Sequence, residues 1–471
     1  MLSWLSNNRL VHYGPERLNG AVNARNGSMN GIFFDPATRS RVRYFGVAFQ
    51  KQGIAAGNFT NGEASGAVRI LPGTNFYYPG SEDAGLLTRT SVPGSSAEDP
   101  VETPAAFDST AASGSYSGVI FDGNGSAIGS LEGVRISLTG VLSGTLALNE
   151  RRFRFRDMLG SDGGDVRIDL GGGEEAILVL RLTAANSGGY GLEGELQIDG
   201  ASSVTYAIDA QRRADHNRSD RSPHEGPYTV AVRAPDSVDF AVEPGGDGYG
   251  AMNVTLVGTC RGLVVLADGT RVSLGGHVGD LYPDGIGTAA EWSFYKRIYG
   301  GVPKGYVAGK LYFRSQPGIS DLDGEWHWVK HDGALPANRY PNGFDVARPV
   351  VGNRYTAPGP GERAMSGLAD NWWNLWLRFA GPDLSTLDTV VVTELDRAAT
   401  WNTANRIVYY GPDRFVVNFN RRNGLLTGRY LDIPNGIRIP FGGILLQEQD
   451  LVTGSYFTRE HSGLFGVEAR R

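Results

Sequence analysis

The feature that most constrains this chain is that its beginning and end repeat each other. Asn8-Arg9-Leu10-Val11-His12-Tyr13-Gly14-Pro15-Glu16-Arg17 aligns without a gap to Asn405-Arg406-Ile407-Val408-Tyr409-Tyr410-Gly411-Pro412-Asp413-Arg414. The same register carries Asn26-Gly27 onto Asn423-Gly424, Asp35 onto Asp432, Gly46 onto Gly443, Gly57 onto Gly454 and Ser65-Gly66 onto Ser462-Gly463. Such self-similarity implies a chain built from repeated supersecondary units. The match runs from residue 4 to about 66. Before Trp401 the C-terminal copy carries an additional stretch, with Trp372-Trp373-Asn374-Leu375-Trp376-Leu377 and Val390-Val391-Val392. The N-terminal unit has no counterpart, so it is expected to be incomplete and to complete itself by contact.

Two further units lie between. Gly114-Ser115-Tyr116 opens one and Gly226-Pro227-Tyr228 the next, each followed by alternating residues such as Val134-Arg135-Ile136-Ser137-Leu138 and Met252-Asn253-Val254-Thr255-Leu256. Gly191–Ile198 parallels Tyr306–Phe313. A Gly-x-x-x-Gly element recurs in all four units, as Gly27/Gly31, Gly140/Gly144, Gly258/Gly262 and Gly424/Gly428. In an apolar helix this spacing would mean helix pairing, but the flanks are polar and alternate with period two. The first glycine therefore suits a hairpin turn with positive φ, and the second a bulge or close approach inside the returning strand. Period-two alternation, as in Phe153-Arg154-Phe155-Arg156, outweighs any helical pattern. The fold expected is all-β: tandem antiparallel meander units, small barrels or sandwiches, at 1–75, 112–210, 225–331 and 366–471. The stretches 76–111, 211–224 and 332–365 are expected as linkers, and Val350 to Tyr355 reads as too broken by Gly352 to be a strand.

Composition agrees. The 67 glycines among 471 residues have no collagen period, and with 20 Tyr and 20 Phe they fit short strands and tight turns. A net charge of −6 with both signs interspersed argues against nucleic acid as a partner. Arg212, Arg213, Arg218 and Arg221 alternate with acids and read as a solvated linker. One cysteine, Cys260, precludes an intrachain disulfide and reads as an unreactive thiol. Met1–Ser6 lacks the basic and apolar regions of a signal peptide, and the longest apolar run, Ala176–Leu180, is strand-length, so no membrane span is expected.

Several phrases are similar to uncharacterised β-modules near the C-terminal ends of very large secreted or surface proteins of environmental bacteria. They include Phe49-Gln50-Lys51-Gln52, Gly226-Pro227-Tyr228-Thr229-Val230, Gly246-Asp247-Gly248-Tyr249-Gly250, Ala267-Asp268-Gly269-Thr270 and Tyr340-Pro341-Asn342-Gly343-Phe344. The resemblance covers nearly the whole chain. It implies an extracellular or cell-surface setting and a piece of a longer polypeptide with an added or processed Met1. It implies no activity.

Catalytic and metal signatures fail on inspection. His12, His216, His224, His277, His327, His331 and His461 show no zinc-type spacing. Gly114-Ser115-Tyr116-Ser117-Gly118 has Tyr where a nucleophile elbow has Ser. Asp122-Gly123-Asn124-Gly125-Ser126 imitates a calcium loop but has Ala127 and Gly133 where Gly and Glu are required. Asp162–Asp165 and Asp321–Gly324 are equally loose, and ordinary Asp-Gly turns explain all three better than weak calcium binding. No cofactor or metal is expected. Five of the eight tryptophans fall between Trp326 and Trp376. Trp326, Trp328, Trp372, Trp373 and Trp376 would stack on sugar rings if exposed and would be core if buried. The reading reached is a non-catalytic extracellular scaffold whose partners are other copies or neighbouring modules of a longer chain. A glycan-binding module that takes extracellular polysaccharide is the first alternative, and a polysaccharide-active enzyme the second.

Overall fold

Glycine-punctuated alternation folds here into antiparallel meanders. The computed structural model describes the strands between residues 2 and 70. It also describes 112–470, except 149, 160–162, 173, 185–189, 200–203, 284–286, 301–303, 337, 386–390, 412–413 and 433–436. The expected linker 76–111 and Gly27 lie outside the described residues. The described elements are strands apart from one short 3-10 turn, Gln447–Gln449. Residues 1–100 and 101–471 are two separate compact units.

The first unit holds one sheet of seven strands in sequence order: Leu2–Trp4, Arg9–His12, Asn19–Val22, Ser28–Asp35, Ser40–Phe49, Ile54–Thr60 and Ser65–Ile70. Met29, Val42 and Tyr44 are buried.

The second unit contains three nearly closed barrels of antiparallel strands. In each, the first strand is hydrogen-bonded to the last, and the ladder is interrupted partway round. The second barrel runs from Gly114–Phe121 to Val204–Arg212, closed where Val119 faces Asp209. The third runs from Gly226–Val232 to Phe344–Arg354, closed where Val230 faces Gly352. The fourth comprises Leu375–Ser385, Val391–Trp401, Ile407–Val408, Arg414–Asn420, Leu425–Asp432, Ile437–Leu446, Leu451–Phe457 and Ser462–Ala469, with Leu377 facing Val467.

The sequence repeat becomes a strand-by-strand repeat. Ser28–Asp35, Ser40–Phe49 and Ile54–Thr60 correspond end for end to Leu425–Asp432, Ile437–Leu446 and Leu451–Phe457. Cross-strand register is preserved too: Gly31 faces Tyr44 as Gly428 faces Phe441, and Gly46 faces Gly57 as Gly443 faces Gly454. Buried Met29, Val42 and Tyr44 match buried Leu426, Ile439 and Phe441. Seven of the fourth barrel's eight strands thus have a counterpart in the first sheet. The eighth, Leu375–Ser385, has none among residues 1–75. In the barrel it lies between Val391–Trp401 and Ser462–Ala469. The corresponding strands of the first sheet, Leu2–Trp4 and Ser65–Ile70, are its two edges.

The recurrent glycines divide as the sequence suggested, with one correction. Gly140, Gly258 and Gly424 have φ of 79°, 75° and 71° at hairpin turns. Gly144, Gly262 and Gly428 lie in the returning strands, and a register shift falls at Gly144. The pairs are not equivalent around the barrel, however. They join the second and third strands of the second and third barrels, but the fourth and fifth strands of the last. The same local device is used at two places in the meander. At two of the three the second glycine makes room for a ring, whereas Gly262 faces Met252. Gly144 faces Phe155 and Gly428 faces Phe441, and an added Cβ would sit 2.7 Å and 2.2 Å from those rings. Gly309 faces Phe294 and Gly463 faces Tyr456 in the same manner.

Two of the expected boundaries are overturned. Phe344–Arg354 is the closing strand of the third barrel, so 332–365 is no linker and the third unit does not end at 331. Gly352, read as a breaker, is a close-approach position: a Cβ there would meet the Thr229 carbonyl oxygen at 2.9 Å. Beyond it, Tyr355, Ala364, Met365 and Leu368 are buried in the core of the fourth barrel. The arginine-rich stretch 211–224 is likewise bound rather than free. Ala214 N–H donates to Val278 O and Ser222 N–H to Leu256 O, and Arg212 pairs with Asp215 and Asp280.

The barrels pack side against side. Val119, Ala127, Ala147, Tyr295, Tyr306, Ala308 and Val329 form an apolar layer between the second and third. Ala231, Tyr249, Ile444, Leu446 and Phe457 do so between the third and fourth. In Thr288–Arg297 every residue from Ala289 to Tyr295 is buried, because one face lines a core and the other meets the neighbouring barrel.

Candidate functional site

The tryptophans separate by burial. Trp326 and Trp328 are 0% and 2% exposed, packed in the third core against Phe294 and Phe344, so neither can stack on a ligand. Their spacing of two put both on the barrel's inner face. Trp376 is half-buried on the outer face, with the Arg470 guanidinium 4.8 Å from its ring centroid. Trp372 and Trp373 are 66% and 50% exposed, and Tyr410, 57% exposed, lies 5.5 Å from Trp372 centroid to centroid.

The backbone beneath these rings is built rigidly. Trp373 has a φ of 56°, a conformation that a bulky residue adopts only when its surroundings enforce it. Its N–H donates to Thr400 Oγ1 at 2.9 Å. Asn374, fully buried, donates from Nδ2 to the carbonyls of Ala369 and Trp401 and accepts the Trp401 N–H at Oδ1. Trp401 in turn donates its indole N–H to Asn405 Oδ1. Along the chain from the rings, a shallow hollow of about 410 Å³ is lined by Gly361, Glu362, Arg363, Ser366, Asp370 and Thr403. Asp370 is paired with Arg363, and Glu362 accepts the Gly359 N–H. The Arg363 Nε is buried without a partner.

Four of the histidines make contacts within the fold. His327 bridges Ala127 O and Asp345 at the junction of the second and third barrels. Burial lowers its pKa, but the Asp345 and Ala127 hydrogen bonds outweigh this and leave the pKa raised. His461 pairs with Asp383, and His277 with Thr259. His224 packs 5.2 Å from Phe313, and burial pushes its pKa down to about 4. The side chain of His12 is outside the described residues. Asp122 Oδ1 accepts the N–H groups of Asn124 and Ser126, which makes the loop an Asx turn. Asp321 and Asp323 bond Arg354 N–H and Arg314, while Asp162 is outside the described residues. Cys260 is buried and its thiol is pushed far up by burial. Among the described residues no group of three or more His, Cys, Asp or Glu is placed to hold a metal ion, and no helix is long and apolar enough to cross a membrane.

Two of the phrases quoted above, Gly246–Gly250 and Tyr340–Phe344, lie where the third and fourth barrels dock. Asp247 is buried between the third and fourth barrels, pairing with Arg233 and accepting from the Ala234 N–H and the Thr453 hydroxyl. Its own N–H donates to Gly454 O. Tyr340 reaches Ser462, and Arg339 reaches Thr458 O. In sequence these polar residues are indistinguishable from turn residues. Compared with known proteins, the sequence matches no family model, and no curated protein matches it at a significant level.

Proposed function

We propose that this chain is a non-catalytic structural module of an extracellular or cell-surface assembly, joined to its partners by strand addition at the N-terminal sheet. The observation that carries this is the seven-against-eight strand match. Leu2–Trp4 and Ser65–Ile70 are the edges of the first sheet, and their counterparts in the fourth barrel, Val391–Trp401 and Ser462–Ala469, are bridged by Leu375–Ser385. An edge with unpaired backbone groups recruits an extended segment. The chemistry of the segment is read from the filled copy: apolar residues at alternate positions, as in Leu375, Leu377 and Phe379, which are buried while Arg378 is exposed. The partner is another β-module, either a second copy or a neighbour in a longer polypeptide. The resemblance given above supports the extracellular setting. A labelled peptide spanning residues 374–386, added to the full chain, tests the proposal. Saturable binding with new amide-exchange protection at residues 2–4 and 65–70 is expected. No binding, together with a monomer at every concentration by light scattering, overturns it.

A second reading, polysaccharide binding, is favoured by the exposed rings of Trp372, Trp373 and Tyr410 on their rigid base. Replacing both tryptophans by Ala would abolish retention on insoluble polysaccharide if this reading holds. Equal retention of the variant would end it.

A further inference from the structure

The interface between the second and third barrels buries three ionisable side chains in contact. Lys310, on the outer face of Gly305–Gln316, places Nζ 2.7 Å from Asp209 Oδ2, on the closing strand of the second barrel. The same Nζ contacts Glu291 Oε2 from the adjacent strand Thr288–Arg297. Glu291 Oε1 accepts the Tyr282 hydroxyl at 3.0 Å. The three residues are 6%, 8% and 5% exposed, for Lys310, Asp209 and Glu291 respectively. Val119 sits directly across the ladder from Asp209 and belongs to the apolar layer that seals the interface.

Two carboxylates and one ammonium in a dry site leave a net negative charge if all are ionised, which burial disfavours strongly. One proton held on the pair of acids removes that excess. Burial is the leading cause of the raised Glu291 pKa, with the Asp209 charge adding to it and Lys310 opposing. The site therefore holds an amine, a carboxyl group against it, and a second carboxyl group able to carry a proton between them.

We propose that Lys310 and Asp209 condense to an amide, with Glu291 as the proton carrier, so that the second and third barrels are covalently joined. Proton transfer within the ion pair gives a neutral amine and a neutral acid. The Nζ lone pair attacks Cγ of Asp209, and a C–N bond forms. Glu291 takes the proton lost by nitrogen and delivers one to the departing hydroxyl, so that the C–O bond breaks and one water leaves. Glu291 ends as it began, and no oxidant or cofactor enters. Enforced proximity supplies a large effective concentration, and exclusion of water opposes hydrolysis. The product replaces two buried charges with a neutral amide, which relieves their desolvation cost. In a chain with a single cysteine the bond would do the work of a disulfide. This inference stands on the interface geometry and is independent of the assembly proposal.

The test is the intact mass of the purified full chain, measured after denaturation. A deficit of one water against the sequence mass is expected, with a branched proteolytic peptide joining the segments that contain Asp209 and Lys310. Glu291→Gln, with unchanged circular dichroism, is expected to accumulate at full mass. A wild-type protein at full sequence mass after prolonged incubation overturns the proposal. A link that maps to Glu291 overturns the assignment of Asp209, and an E291Q variant as fully linked as wild type overturns the role given to Glu291.

Discussion

Gly428→Ala is the most direct probe of the packing device that repeats through this molecule. Gly428 lies mid-strand without positive φ, so backbone freedom is not what requires glycine there. A Cβ at this position would lie 2.2 Å from Phe441 Cζ and 2.6 Å from the Val416 carbonyl oxygen. Phe441 cannot yield cheaply. Its ring is 5.1 Å from Phe379, edge-on, and 4.5 Å from Phe465, all within the fourth core. Relief therefore means moving a ring cluster or bending a strand, an overpacking cost of about 1–3 kcal/mol. For a barrel of this size that corresponds to a fall in Tm of roughly 5–20 °C. Differential scanning calorimetry would read it as a shift of the fourth barrel's transition. Gly123→Ala is the control, since nothing lies within 4 Å of its Cβ and its φ is not positive. Equal melting of Gly428→Ala and wild type would refute the claim that the ring requires the glycine.

Three further outcomes are expected. Asp247→Ala removes the acceptor of the half-buried Arg233 and of the Ala234 N–H, so it should destabilise by about 1–3 kcal/mol and separate the melting of the third and fourth barrels in calorimetry. His224 is held neutral, with its pKa lowered from 6.5 to about 4. The stability this confers is fully present above pH 6.5 and is lost as the pH falls from there through 4, by about 3 kcal/mol in all. His224→Phe should flatten that acid limb in urea titrations, and an unchanged limb would contradict the assignment. Trp373→Gly, which relieves a φ of 56°, should leave Tm unchanged or raise it, whereas Trp401→Ala, at a fully buried position, should cost about 3–5 kcal/mol.

Much of the architecture was legible because glycine and alternation are local signals. The register between Asn8–Arg17 and Asn405–Arg414 survives as a register of strands, and Asn423-Gly424 is a turn as its residues demand. Gly352 misled because punctuation and strand interior look alike when a strand closes a barrel. Only the partner strand Gly226–Val232, more than a hundred residues earlier, reveals the difference. The aromatic platform was half legible: Trp372 and Trp373 stood out, but Tyr410 joins them only through the fold. The Lys310 cluster was invisible. Each of its members is a polar residue on an outward position, the usual sign of a solvated face, and the neighbouring barrel is what removes the water.

Each barrel in residues 112–470 begins and ends at one place. Tyr116 lies beside Arg212, Tyr228 beside Arg354 and Leu375 beside Ala469, on antiparallel neighbours whose free ends exit together. Tension transmitted along the polypeptide would thus pull the first and last strands apart like a zipper, breaking ladder hydrogen bonds singly rather than shearing them as a set. A chain of such barrels yields in steps, one barrel at a time, and lengthens before it snaps. A link from residue 209 to residue 310 would change this for the third barrel, because the load would bypass the strand Gly226–Val232 at which unzipping starts.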